Sequence, residues 1–227
     1  MRIGTREFDF TENCYLMGIL NVTADSFSDG GQFLQTDTAL RHVEQMLGEG
    51  MDILDIGGES TRPGYTQISE QEEMERVLPV IEAVRARFDV PVSLDTYKWK
   101  VAQAGIAAGV HLVNDIWGLQ YDDGEMASLL AKSGIPCCLM HNRRSNEYTA
   151  LMDDVCSDMQ ESLTIAAAAG IRREQILLDP GIGFAKSYAQ NLEMLRCLGE
   201  FRERLGLPVL LGASRKSVIG LTLDLPP

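Results

Sequence analysis

The chain has 227 residues, 45% of them hydrophobic and 23% charged, a globular composition with ample length for a closed core. Its net charge of −13 opposes a nucleic-acid partner, yet leaves small anions open to backbone N–H groups and a few converging Lys or Arg side chains. No apolar run approaches the roughly 20 residues that span a bilayer, and MRIGTREFDF is too polar for a secretory leader, so the expectation is a cytoplasmic protein without a membrane partner.

Short apolar runs alternate with helical patterns along the chain. The first predicted strand, Tyr15–Leu20, ends at Asn21 and opens the polar loop NVTADSFSDGG before a helix that begins near Thr36. The second, Ile53–Ile56, runs into DIGGESTRPG. Met74, Val77, Leu78, Ile81, Val84 and Phe88 then form a helical stripe, and Pro79 inside it predicts a kink or a break. The third strand, Val90–Leu94, leads to Asp95 and Thr96; the fourth, Leu112–Asn114, leads to Asp115. The fifth, Pro136–Met140, is followed by His141, Asn142 and Arg143. Met152, Val155, Met159 and Leu163 start a helix that continues through Ala166 to Gly170. The sixth strand, Gln175–Leu178, ends in Asp179-Pro180-Gly181. Leu192, Leu195, Leu198, Phe201 and Leu205 read as one helical stripe, closed by Gly206 and Pro208. The seventh strand, Pro208–Leu211, reaches Gly212 and then Ala213-Ser214-Arg215-Lys216.

These strands are short, nearly all apolar and flanked by Gly, Pro, Asp or Asn, as strands buried on both faces are. Strands followed by helices throughout predict an α/β fold with a parallel sheet, either an eight-fold (β/α) barrel or an open doubly wound sheet. Nothing divides the sequence, so residues 1–227 read as one domain. In either fold the chemistry gathers at the C-terminal ends of the strands, and each predicted strand ends in polar residues.

Taken singly, each has a plain structural reading. Asn21 suits a turn, Asp179-Pro180-Gly181 is a common turn, and Ser214 could cap a helix. Arg215 and Lys216 oppose a helix dipole at that position, which points to an anion. His42 and His111 read as surface or packed residues, whereas His141 draws notice by its place at a strand end. Five cysteines without a CxxC pair read as free, mostly buried thiols. No structural metal motif, nucleophile elbow, P-loop or dinucleotide fingerprint is present. Together the strand ends offer Asp and Asn to a ligand rich in ring N–H and amine donors, and Thr, Arg and Gly-rich backbone to phosphate oxygens.

Five segments carry a resemblance. MGILNVTADSFSDGG and DILDIGGESTRPG resemble the two signatures of the dihydropteroate synthase family. PVSLDTYKWKVAQAGIAAGVHLVND, ILLDPGIGFAKS and PVLLGASRKSVIG are similar to its later blocks, in the same order. The resemblance implies a (β/α)8 TIM-type barrel, usually a homodimer, and small-molecule substrates: 6-hydroxymethyl-7,8-dihydropterin pyrophosphate and para-aminobenzoate. It implies a pterin pocket at Asp95, Asn114, Asp179 and Lys216, and a Mg²⁺ contact at Asn21. Pyrophosphate handling falls on Thr61 and Arg62, and the para-aminobenzoate side on Pro63, Phe184, Ser214 and Arg215. Asn21, Thr61, Arg62 and Lys216 are the catalytic set it implies.

Ala24 and Ala185 stand where the family usually has Pro and Gly. After Lys216 eleven residues follow, fewer than the roughly 30 of one βα unit, so the last unit and the family's Arg-x-His have no counterpart in this sequence. The expectation is therefore a barrel lacking its last βα unit. Two other readings share the pterin contacts. One is a methyltetrahydrofolate-dependent methyltransferase, which needs neither the Thr-Arg-Pro-Gly loop nor Ser-Arg-Lys. The other is a non-catalytic pterin-binding remnant.

Overall fold

The computed structural model describes residues 1–22, 32–60 and 66–224, with side chains from residue 36 onward in the first helix. Packing divides the chain into two compact units, Met1–Asn114 with Lys132–Pro136, and Asp115–Ala131 with Cys137–Pro227.

The first unit opens with a hairpin that sequence patterning gave no sign of, β1 (Arg2–Ile3) paired antiparallel with β2 (Arg6–Glu7). Beyond it Phe8 meets Tyr15 edge-on, ring centroids 4.8 Å apart. Strands β3 (Met17–Asn21), β4 (Ile53–Gly57), β5 (Val92–Asp95) and β6 (Leu112–Asp115) then run parallel, each paired with the next. Their alternate residues differ in character. Leu20, Leu54, Ile56, Val92 and Leu94 belong to the apolar core of this unit; the other parity carries Asp55, Ser93, Asp95 and Asn114. Helices α1 (Gln32–Gly48), α2 (Glu70–Arg87) and α3 (Trp99–Ala107) follow β3, β4 and β5. Val43, Met46, Val77, Ile81, Val84 and Val101 bring them into the same core, each such side chain contributing about 1.5–3 kcal/mol on burial.

Helix α2 corrects one expectation. It continues unbroken through Pro79. The proline and Glu75, whose carbonyl loses its helical partner, both lie on the exposed side, where water can satisfy that carbonyl. Ser69 starts the helix by accepting the Glu72 N–H at 3.1 Å, as an N-cap does.

In the second unit β7 (Cys137–Met140) pairs parallel with β8 (Ile176–Asp179), Met140 opposite Asp179. The predicted seventh strand is reduced to a bridge between Leu178 and Val209, held by Leu178 N–H to Pro208 O and Leu210 N–H to Leu178 O. Pro208 has no N–H to extend the ladder. Helix α4 (Glu125–Ser133) precedes β7 and α5 (Leu151–Ala169) follows it, burying Val155, Met159, Leu163 and Ala166. The predicted Leu192–Leu205 stripe splits into α6 (Tyr188–Arg196) and α7 (Leu198–Leu205). Asn191 and Met194 are the buried residues of α6, and Cys197 turns the chain between the helices. Helix α8 (Ser217–Leu223) comes last. Among the described residues no helix is long and apolar enough to cross a membrane.

Candidate active site

In the first unit strand register assembles one polar row. Asn21 lies opposite Gly57, Gly57 opposite Asp95, and Asp95 opposite Asn114. All four stand at C-terminal strand ends, and neighbours in a parallel register point to the same face. Gly57 leaves room between its neighbours, because a Cβ there would lie 3.4 Å from Asp95 Oδ2 and 3.7 Å from Asn21 Oδ1. One layer below, Asp55 is buried and accepts from Asn114 Nδ2 at 3.2 Å. That bond orients the Asn114 carboxamide. Asp55 was not a sequence candidate; its only signal was a carboxylate inside the apolar run ILDIG.

Past β4, Glu59 joins a buried ionic group. Lys98 Nζ lies 2.6 Å from Glu59 Oε2, 2.7 Å from Glu73 Oε2 and 2.8 Å from Ile68 O. Tyr97 OH donates to Glu59 Oε1 at 2.6 Å, and Ile68 N–H donates to Glu59 Oε2 at 2.9 Å. Burial pushes the Glu73 carboxyl up, against the pull of Lys98. Burial also pulls the Lys98 ammonium down, but Glu59 and Glu73 outweigh it and leave its pKa above the ordinary lysine value. The group ties Glu59 to Ile68, on either side of residues 61–65. Thr61, Arg62 and Pro63 themselves lie outside the described residues, as does Ala24.

In the second unit Asp179 ends β8, 6% exposed, with its Oδ1 accepting the Gly181 N–H at 2.7 Å. Burial raises its carboxyl, opposed by the Lys216 charge and the Gly181 N–H. The turn that follows is more than a punctuation mark. Gly181 has φ 70°, and a Cβ on it would fall 2.0 Å from His141 O, so glycine alone fits. Gly183, at φ 83°, would place a Cβ 3.1 Å from Lys216 Cδ. Lys216 is the N-cap of α8; its Nζ donates to Ile182 O and sits 4.6 Å from the Phe184 ring centroid. Ser214 and Arg215 are exposed, Arg215 with φ 55°; α8 has no side-chain cap bond, so Ser214 does not cap it.

His141 and Lys186 complete this region. The His141 ring is buried, with Nε2 2.9 Å from Asp158 Oδ2 and Nδ1 2.8 Å from Lys186 Nζ. Lys186 Nζ also reaches Gly181 O at 3.2 Å and Phe184 O at 3.3 Å. Burial pulls the Lys186 ammonium down to about 7, with Asp179 pulling the other way. Burial pushes Asp158 up, but hydrogen bonds from His141 and Arg143 outweigh it and hold it at about 2. Sequence reasoning noticed His141 by position and passed over Lys186, which sits two residues after Phe184 with nothing to mark it.

The comparisons with known proteins bear on what these groups serve. A family model described as "Pterin binding enzyme" matches residues 17–226. A dihydropteroate synthase of Clostridium beijerinckii is 56% identical over 100% of this chain and 83% of its own length.

The chain belongs to the dihydropteroate synthase family.

A second relative of that name, from Bacillus subtilis, is 51% identical over 96% of this chain and 76% of its own. Among solved dihydropteroate synthases, one from Clostridium difficile, in the presence of pteroic acid, has a TM-score of 0.93 at 46% identity, covering 97% of this chain and 84% of its own. One from Xanthomonas albilineans with 4-aminobenzoic acid has a TM-score of 0.88 at 42% identity, covering 94% and 77%. The fold class is thus the α/β, TIM-type class of the dihydropteroate synthases, and the described strands do not close into a barrel. Ala185, where this family usually has glycine, adopts φ 45°, the left-handed region in which glycine is at ease.

Proposed function

We propose that the protein is a dihydropteroate synthase, a transferase of folate biosynthesis that joins 6-hydroxymethyl-7,8-dihydropterin pyrophosphate to para-aminobenzoate, giving dihydropteroate and pyrophosphate. The observation that carries this is identity of 56% with a dihydropteroate synthase across the whole chain, with acceptor side chains at the ends of β5, β6 and β8. Residues 1–227 serve as a single pterin-binding domain.

Asp95 and Asn114 in the first unit, and Asp179 and Lys216 in the second, each serve the pterin. Asp95 and Asp179 accept from the amine and ring N–H donors of the pterin edge, and a buried acceptor discriminates strongly against ligands without those donors. Lys216 meets a pterin acceptor, Thr61 and Arg62 take the pyrophosphate, and Pro63, Phe184, Ser214 and Arg215 serve para-aminobenzoate. The bond from the pterin methylene carbon to the pyrophosphate oxygen breaks, the arylamine nitrogen bonds that carbon, and the nitrogen then releases a proton. No strong base is required, because the free amine attacks with its own lone pair. The protein's task is orientation and stabilisation of the departing charge.

Among the described residues no group of three or more His, Cys, Asp or Glu could hold a metal. Asn21 offers one hard oxygen at the end of β3, which fits a Mg²⁺ ion held mainly by substrate phosphate and water. Such an ion neutralises charge on the leaving pyrophosphate. The family resemblance further supports a cytoplasmic homodimer, to be checked by sedimentation equilibrium.

Pyrophosphate release by the purified protein with Mg²⁺ and the pterin pyrophosphate tests the reading. Release that depends on para-aminobenzoate is expected, and Asp95→Ala or Lys216→Ala should each lower kcat/KM by about 10- to 100-fold. Absence of release from folded protein would leave the pterin-binding remnant in its place. Methyl transfer from methyltetrahydrofolate would move the protein to another pterin enzyme.

A further inference from the structure

Four carbonyls of the segment after β8 are held by hydrogen bonds. Gly181 O accepts from Phe184 N–H at 3.1 Å and from Lys186 at 3.2 Å. Ile182 O accepts from Lys216, Phe184 O from Lys186 at 3.3 Å, and Ala185 O from Tyr148 OH at 2.9 Å. Gly183 N–H donates to Asn191 Oδ1 at 2.6 Å. Two lysines therefore share the turn. Lys216 takes its middle carbonyl and stands over the Phe184 ring; Lys186 takes both ends.

What aims Lys186 can be read from proton accounting. Asp158 is held ionised by Arg143, whose Nη2 lies 3.0 Å from Asp158 Oδ1, so it can only accept. His141 Nε2 must then carry hydrogen and donate to Asp158, which leaves Nδ1 with a lone pair facing Lys186. Lys186 Nζ faces three acceptors, His141 Nδ1, Gly181 O and Phe184 O, one for each ammonium hydrogen. His141 is itself fixed through its backbone, donating its N–H to Asp179 O at 2.9 Å. The charged groups around Lys186 are Asp179 on β8, Lys216 at the start of α8, and Arg143 and Asp158 beside His141.

We propose that Lys186, aimed by His141 and Asp158, is a positioning residue of the synthase reaction: it fixes the Gly181–Phe184 turn and thereby sets where the Phe184 ring meets para-aminobenzoate. This rests on the reading that Phe184 serves para-aminobenzoate. The side chain holds both ends of the turn, so its loss acts chiefly on para-aminobenzoate.

The test is equilibrium binding of para-aminobenzoate and of the pterin pyrophosphate by calorimetry, with kcat and both KM values measured in parallel. Lys186→Met, which keeps the length and removes every donor, is expected to raise the para-aminobenzoate Kd and KM by at least about tenfold. The pterin Kd and kcat should change by clearly less, the residual effect coming from the charge lost near Asp179. His141→Leu should reproduce this pattern. His141→Asn, which keeps an acceptor near the place of Nδ1, should recover most of the affinity. Circular dichroism establishes that each variant is folded.

A para-aminobenzoate Kd unchanged in both Lys186→Met and His141→Leu would overturn the proposal, as would equal losses for both substrates. Phe184→Ala separates the two layers of the inference. If it weakens para-aminobenzoate while Lys186→Met does not, the positioning role fails alone. If it has no effect, the assignment of Phe184 fails and takes the proposal with it.

Discussion

At the scale of single residues, two neighbouring positions show opposite demands of backbone geometry. Gly181 combines φ 70° with His141 O at 2.0 Å from any Cβ, so Gly181→Ala must move backbone as well as adopt a left-handed conformation. A loss of more than about 3 kcal/mol is expected in urea unfolding. Ala185 holds φ 45° with its carbonyl bonded to Tyr148; Ala185→Gly removes about 1 kcal/mol of left-handed strain. A small gain in the urea midpoint is expected, set against the greater freedom of glycine in the unfolded chain. Asp179-Pro180-Gly181 was legible as a turn from three letters. The approach of the His141 carbonyl was not, because that contact joins residues 40 positions apart in the sequence.

At the scale of elements, helix α2 tests how far propensity governs. Proline inside a helix costs about 3 kcal/mol relative to alanine, yet α2 continues through Pro79. Val77, Val80, Ile81 and Val84 are each at most 3% exposed, and their burial outweighs the local penalty. Pro79→Ala should therefore stabilise the protein by about 1–3 kcal/mol, seen as a higher urea midpoint with an unchanged slope. No gain would mean that the proline is matched to a bend the unit requires. The α6–α7 break teaches the converse. Leucines at suitable spacing promised one helix, but α6 buries Asn191 beside Met194, the Asn191 side chain committed to Gly183 N–H, Lys186 O and Ser187 O. A polar side chain serving a nearby turn set the helix's orientation, and hydrophobic periodicity has no means of reporting that.

At the scale of the whole molecule, net charge bears on stability. Twenty basic against 33 acidic residues leave −13, a self-repulsion that weakens the compact state and is screened by salt. Raising NaCl from about 20 mM to about 500 mM should lift the thermal midpoint by roughly 2–4 °C, the shift that about 1 kcal/mol produces in a chain of this size. A midpoint that falls would place more weight on attractive ion pairs such as Lys98 with Glu59 and Glu73, although their burial shields them from salt.

The sequence by itself determined the alternation of strands and helices, the polar character of every strand end, and the family, since each of these is written in local composition and in long motifs. The tertiary structure decided the register that sets Asn21, Gly57, Asp95 and Asn114 in one row. A slip of one residue would turn those side chains to the opposite face, and register depends on pairing between segments far apart in the chain. It also decided that Asp55, Lys98 and Lys186, unmarked in the sequence, are fixed by polar partners from distant segments. A charged side chain acquires such a role from the acceptors that converge on it in space, and those acceptors are chosen by the fold.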